Sequence, residues 1–216
     1  MDTMALEKLI KGRRSIRQWE KKEVPDELLM KAVELATWAP NGGNYQGWHF
    51  IIVKNKDVIA KMANAVQSAA DKIAAWPEAR QWQEDVNRYL KNASFFRNAP
   101  VCIGAFTGEY QSVMEKILVA REAFDPEAKK MMTFRRSAPT PIQSVAAAVS
   151  TMLLAFHQMG LGAVWLVGPL MAKKEMETIL NVPVRLNLVC LVAVGYPDES
   201  PQKGRRPVDE VLEFIR

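Results

Sequence analysis

Two hydrophobic periods run through this chain. Leu29, Ala32, Val33 and Ala36 recur at the i, i+3, i+4, i+7 spacing of one helical face, and Asp26 and Glu27 occupy the first turn, where the positive helix end favours acids. A helix is predicted over 26–38. Residues 56–73 repeat the pattern with Ile59, Met62, Ala63 and Val66 on one stripe, and 4–11, 78–97 and 172–180 also read as helices. Between them lie short apolar runs of strand length, at 48–54, 100–106, 161–167 and 186–194. Residues 142–159, IQSVAAAVSTMLLAFHQM, are apolar around most of a helical circumference. Such a helix is buried on nearly all sides, threading the core or lying in a subunit interface. Four strands interleaved with these helices predict a mixed α/β or α+β domain.

The remaining segments break the rhythm. Residues 108–140 mix short helical stretches with charge and two prolines, and read as an excursion or lid carrying Tyr110, Phe124 and Phe134. No repeat or low-complexity segment divides the chain, so 1–216 is taken as one domain.

Composition narrows the class. The chain is 49% hydrophobic and 25% charged, enough for a sizeable core. No apolar run approaches the ~18 residues of a membrane span, and the first residues lack a signal-peptide core, so a soluble, cytoplasmic protein is expected, with no membrane partner. Cys102 and Cys190 both sit in apolar strand-like runs and read as buried, reduced thiols. His49 and His157 lack any metal-ligand spacing, so no metal site is expected.

Charge is concentrated. The formal net charge is +5, and residues 11–22 hold six basic residues against one acid. Within them Arg13-Arg14-Ser15-Ile16-Arg17 gathers three guanidinium groups and a hydroxyl just past Gly12, a helix-stopping residue. Guanidinium forks bind phosphate bidentately. On extended backbone, Arg13, Ser15 and Arg17 would face one way and Arg14 and Ile16 the other. A second basic knot, Lys203-Gly204-Arg205-Arg206, lies near the other end. Each could be a plain solvated turn; together they suggest convergence on one anion. Neither is a long basic tail, so nucleic acid is not an expected partner.

The stretch APNGGNYQGW, residues 39–48, joins a helix to a strand with more residues than the about 2–6 that most such connections need. Asn44 and Gln46 offer amides to a heterocycle edge or polyol, and Gly42 and Gly43 permit close backbone approach. Later, Gly160-Leu161-Gly162-Ala163-Val164-Trp165-Leu166-Val167-Gly168-Pro169 frames a strand with glycines, and its spacing is not that of a phosphate loop. No nucleophile elbow, Walker motif or spaced carboxylate pair occurs, so no catalytic side chain is nominated.

These motifs in this order resemble the FMN-dependent nitroreductase family along nearly the whole chain. The carriers are RRSIR after a short helix, APNGGNYQGWHFIIV, the alanine-rich helix running into GLGAVW, and GYP followed by KGRRP. Two departures stand out: Asn41-Gly42 replaces the usual small residue after the first proline, and Gly47 replaces proline before Trp48.

The resemblance implies an α+β fold: a three-layer α-β-α sandwich around a mostly antiparallel sheet, assembled as a domain-swapped homodimer with FMN in the interface. Arg13, Ser15 and Arg17 would then hold the flavin phosphate, ribityl chain and pyrimidine edge. Lys203 and Arg205 would complete the phosphate grip, with Arg14 adjacent and Arg206 an alternative to Arg205. Pro40, Asn41, Gly42 and Asn44 would reach the flavin from the partner subunit, supported by Gln46. Backbone at Leu166, Val167 and Gly168 would follow the flavin near N5, with Trp165 nearby and helix 142–159 forming much of the interface. The implied activity is ping-pong reduction of nitroaromatics, quinones or other small electron-poor acceptors by NADH or NADPH. Relatives that fragment flavin, dehalogenate or desaturate give the alternative chemistry, and a non-catalytic flavin-binding protein is another. A helical segment with Trp76, Trp82 and Tyr89 either shapes the pocket or simply packs.

Overall fold

In the computed structural model, which describes residues 3–216, the organising element is β2, Val101–Thr107, a strand buried along its whole length. Its alternation feeds two cores: Val101, Ile103 and Ala105 face one apolar cluster, while Cys102 and Phe106 face another. β1 (Trp48–Val53) pairs on one side of it and β4 (Asn187–Gly195) on the other, with β3 (Gly162–Leu166) outermost beside β4. All three pairings are antiparallel, in the order β1-β2-β4-β3.

Helices cover both faces, making the three-layer sandwich. On one face lie α2 (Asp26–Ala36) and the long helix α7 (Thr140–Gln158). On the other lie α3 (Lys56–Ala74) and α8 (Lys173–Ile179), whose Ile59, Met62, Val66 and Met176 are fully buried. Local chemistry starts these helices where the sequence asks. Asn55 caps α3 by accepting from the Asp57 and Val58 N–H groups at 2.9 and 3.2 Å. The first helix, α1 (Thr3–Gly12), lies outside the core and buries no residue.

α7 explains the alanine-rich run. Val145, Ala148, Val149, Met152 and Phe156 are fully buried beside β2 and β4. The stretch Pro126–Gln158 is long and apolar enough to cross a membrane, and packing in the core gives α7 another use for that character.

One expectation needs correction. The helix foreseen over 78–97 is broken: Pro77–Trp82 is a 3-10 turn, α4 spans Gln83–Leu90, and a second 3-10 turn covers Phe95–Asn98. The first break falls at Trp82, whose φ and ψ of −123° and 32° leave the helical region. Phe96, fully buried, sets the second, because a straight helix could not plunge that ring into the core while α4 keeps every residue out of it. The excursion at 108–140 is a helical hairpin, α5 (Val113–Arg121) and α6 (Pro126–Ser137). A Ser112–Glu115 capping box opens α5, and Glu115 then pairs with Arg135 of α6 at 3.0 Å. Arg136 clamps Glu122 through two bonds of 2.7 and 2.6 Å.

Candidate flavin site

After α1 the chain runs along the free edge of β3. The Ile16 N–H donates to the Ala163 carbonyl at 3.2 Å, and the Trp19 indole donates to the Gly162 carbonyl at 2.9 Å. Ile16 and Trp19 are buried and anchor the segment, which leaves Arg13, Arg14 and Ser15 half-buried and Arg17 exposed. Glu199, which the sequence reading missed, accepts from the backbone N–H groups of Arg17 and Gln18, the latter at 3.2 Å. An acid lying just before the basic knot was the available signal.

Electrostatically this edge is unbalanced. The Arg13 guanidinium is pulled below its ordinary value by burial and then by the positive charges of Arg205 and Arg14. None of Arg13, Arg14, Arg17 or Arg205 forms an ion pair with a carboxylate among the described residues. Arg14 donates to the Arg13 carbonyl at 2.9 Å, while its Nε is buried without a partner. It shares a small cavity with Ile16 and His157. His157 is held below its usual range by burial and by Arg13 and Arg14. Of the second basic knot, only Arg205 is brought beside Arg13; Lys203 and Arg206 lie exposed on the extended tail.

The Pro40–Gln46 loop is built as tightly wound backbone. Gly43, Asn44 and Gln46 have φ of 61°, 49° and 53°, the left-handed region that glycine and asparagine tolerate best. Asn41 holds the turn by accepting from the Gln46 N–H at 2.9 Å, Asn44 accepts from the Gln46 amide at 3.2 Å, and Gly42 donates to the Ser144 hydroxyl at 3.3 Å. Pro40 is exposed. Gly47 earns its place by space: a Cβ there would lie 2.2 Å from the Tyr45 ring.

Sheet order separates these two halves. The arginine segment lies on β3, and the loop leads into β1 at the opposite edge. Three inter-strand gaps of about 4.8 Å within the sheet, and a fourth from β3 to the segment bridged to its free edge, put them roughly 19 Å apart. Within one chain they do not meet.

At the end of β3, Trp165 and Leu166 are half-buried, while Val167 and Gly168 are exposed. The Trp165 indole N–H is buried without a hydrogen-bond partner, its neighbour Cys190 being a weak acceptor. Burial pushes the Cys190 and Cys102 thiols up to about 12, so both are inert, as free buried cysteines should be. Two cavities adjoin this end of the sheet. One, of about 1030 Å3, lies under the α5–α6 hairpin and is walled by Tyr45, Tyr110, Lys116, Arg135, Arg136 and Lys173. The other is a smaller cleft between α3, α4 and Met171. No group of three His, Cys, Asp or Glu among the described residues could hold a metal ion.

The fold is an α-β-α sandwich with a basic edge, a wound amide loop and a glycine-framed strand end, and comparison with known proteins gives the family. The chain belongs to the Nitroreductase family, which it matches over residues 10–196. It is 27% identical over 206 residues to the iodotyrosine deiodinase of Thermotoga neapolitana, covering 94% of each chain. Among solved structures, it is similar to a BluB-like flavoprotein from Clostridium difficile 630, with a TM-score of 0.84, 27% identity and full coverage of both chains. It is similar also to an oxidised iodotyrosine deiodinase bound to FMN and 3-iodo-L-tyrosine, with a TM-score of 0.70, 25% identity and coverage of 98% and 97% of the two chains.

Proposed function

We propose that this protein is an FMN-dependent oxidoreductase that takes electrons from NADH or NADPH and delivers them to a small electron-poor acceptor such as a quinone or nitroaromatic. The observation that carries the reading is the cluster of Arg13, Arg14 and Arg205, none of them paired with a carboxylate among the described residues, with Arg13 and Arg14 on backbone bonded to α1 and β3. Three crowded cations, one with a buried and unsatisfied Nε, fit a phosphate far better than they fit empty solvent. FMN, when bound, supplies two-electron transfer through N5 of its ring.

The chain's own residues bind and orient. Arg13 and Arg205 neutralise phosphate, Ser15 adds a donor, and Arg17 favours negative charge on the flavin pyrimidine. Lys203 and Arg206 strengthen the field at the phosphate end. Backbone at Leu166–Gly168 lines the reacting edge beside Trp165. Because the Pro40–Gln46 loop lies at the far edge of the sheet, a second copy of the chain supplies it, and the protein works as a homodimer. The exposed apolar residues of α1 and of the tail, among them Met4, Ile10, Phe214 and Ile215, support that assembly. The cavity under the α5–α6 hairpin, with its lysines and arginines, suits the polar half of a nicotinamide dinucleotide, so the hairpin acts as a lid.

Absorbance of the purified protein with released cofactor identified, followed by anaerobic NADH and NADPH, tests this reading. FMN bands bleached by a nicotinamide support it; bound FMN that neither donor reduces faster than free FMN overturns it. Similarity to the deiodinases favours reductive dehalogenation as the second reading, and product analysis with 3-iodo-L-tyrosine separates the two.

A further inference from the structure

Arg17 is held at both ends. At its backbone, the N–H donates to one oxygen of the Glu199 carboxylate, and the same oxygen accepts from the Gln18 N–H at 3.2 Å. Neither N–H has another acceptor among the described residues. At its far end, the guanidinium carbon lies 6.0 Å from the centroid of the Phe95 ring, and Phe95 stacks on the buried Trp19 with the ring planes 10° apart. Glu199 itself stands on a short clip of backbone. Trp19 bridges Pro197, the Asp198 N–H donates to the Gln18 carbonyl at 3.0 Å, and the Glu20 N–H donates to the Tyr196 carbonyl at 3.0 Å. A carboxylate beside several arginines would ordinarily pair with one of them. Glu199 shares a cavity wall with Arg14, yet among the described residues it forms no ion pair. Its charge is satisfied by two consecutive backbone donors instead.

We propose that Glu199 is a positioning residue for the flavin: by pinning the backbone of Arg17 it aims that guanidinium at the pyrimidine edge, and so sets the reduction potential of bound FMN. The assignment rests on the flavin reading above, which gives Arg17 that edge. The two N–H groups belong to the peptide planes on either side of the Arg17 Cα, so one oxygen fixes both planes and the direction in which the side chain leaves the chain. Phe95 bounds the guanidinium at the other end, through a weak cation–π contact at the limit of its range. A cation held at the pyrimidine edge favours the reduced flavin, which carries negative charge there. An arginine free to swing into water spreads its charge over many rotamers and loses that preference. The charge of Glu199 acts in the opposite sense, because a carboxylate near the reduced flavin disfavours it. Loss of the charge alone therefore raises the potential, whereas loss of the clip lowers it.

That difference in sign makes the test. The midpoint potential of bound FMN is measured by anaerobic dye-coupled reduction for the wild type, Glu199→Ala and Glu199→Gln. The glutamine variant keeps an oxygen that accepts from both N–H groups and loses the charge; the alanine variant loses both. The expected result is a fall for Glu199→Ala, with reduced FMN losing about tenfold or more in affinity relative to oxidised FMN, or about 30 mV for two electrons. Glu199→Gln should stay at or above the wild-type potential. A rise or no change in Glu199→Ala, or an equal fall in Glu199→Gln, overturns the assignment. Hydrogen exchange of the apoprotein reads the clip without the flavin: protection of the Arg17 and Gln18 amides should be lost in Glu199→Ala and kept in Glu199→Gln, and equal protection in all three proteins also overturns it. The bonds at Asp198 and Glu20 are backbone bonds that neither substitution removes, and thermal unfolding checks that the fold survives. Wild-type protein that takes up no FMN sinks the flavin reading; FMN bound with the wrong order of potentials sinks the role of Glu199 alone.

Discussion

Tyr45 and Tyr110 pack with ring centroids 4.8 Å apart and ring planes tilted by 32°, and the Tyr45 hydroxyl donates to the Glu109 carbonyl at 2.8 Å. One tyrosine belongs to the wound loop and the other to the entry of the α5–α6 hairpin. The contact therefore ties the shape of the loop to the hairpin. Tyr110 also caps Gly43, where a Cβ would come within 2.5 Å of its hydroxyl.

Tyr110→Ala should release the loop. Loss of the ring pair costs about 1–2 kcal/mol of stability, and FMN affinity should fall because the loop no longer holds its left-handed turns. Tyr110→Phe keeps the stack and should recover both. Thermal unfolding and FMN titration on the same three proteins decide the matter; equal losses in the Ala and Phe variants would point instead to the hydroxyl.

Arg13→Ala should act on the phosphate alone. Removing one charge-assisted contact of about 1.5–3 kcal/mol weakens FMN by roughly 10- to 100-fold. Riboflavin, which has no phosphate, should bind the variant and the wild type equally. Fluorescence titration with both flavins provides the check, and a matching loss for riboflavin would remove Arg13 from the phosphate site.

The tail should matter through its apolar end. Phe214 and Ile215 are 73% and 102% exposed in the single chain, and neither would stay so in a dimer that buries the tail. Phe214→Asp with Ile215→Asp should cost the dimer about 3 kcal/mol or more, raising its dissociation constant about 100-fold or more. Sedimentation over a concentration series would show this. Arg205 is untouched, so lost FMN binding by the resulting monomer would reflect the missing loop.

Acid should loosen the hairpin before the core. The Ser112 cap, and then Arg135, hold the Glu115 carboxyl below its ordinary 4.5. Folding therefore gains from the ionised form; the gain is complete above the ordinary value and is lost as pH falls through the lowered one. Limited proteolysis within residues 108–140 should rise across about pH 5 to 3 in the wild type. Glu115→Gln should be more open at neutral pH and show a flatter response.

Much of this molecule is legible in its sequence, for a physical reason in each case. The stripe of Ile59, Met62, Ala63 and Val66 faces the core as its spacing requires, whereas the helix expected to be buried on nearly all sides buries one face, through Val145, Ala148, Val149, Met152 and Phe156, and leaves Ser150 exposed. Arg205 comes near enough to Arg13 for its charge to be felt there, while Lys203 and Arg206 lie out on the tail. What escaped is long-range. Nothing near Phe96 announces that its ring must enter the core and break the helix, and nothing local pairs Tyr45 with Tyr110. The hairpin at 108–140 was visible only as irregularity, because α5 and α6 pack chiefly on each other through charged pairs rather than through an apolar stripe.

The opposite-edge placement of the arginine segment and the loop has a genetic consequence. In the homodimer proposed above each chain would carry half of one site and half of another, so two defective chains need not make a wholly defective protein. A dimer of one Arg13→Ala chain and one Asn44→Ala chain would concentrate both lesions in one site and leave the other with its native arginine and its native asparagine. Random pairing of equal amounts would restore about a quarter of the native sites, from two parents that each have none. Activity at limiting FMN that is recovered by mixing after dissociation, and reduced in either variant alone, is the signature of a site shared between subunits.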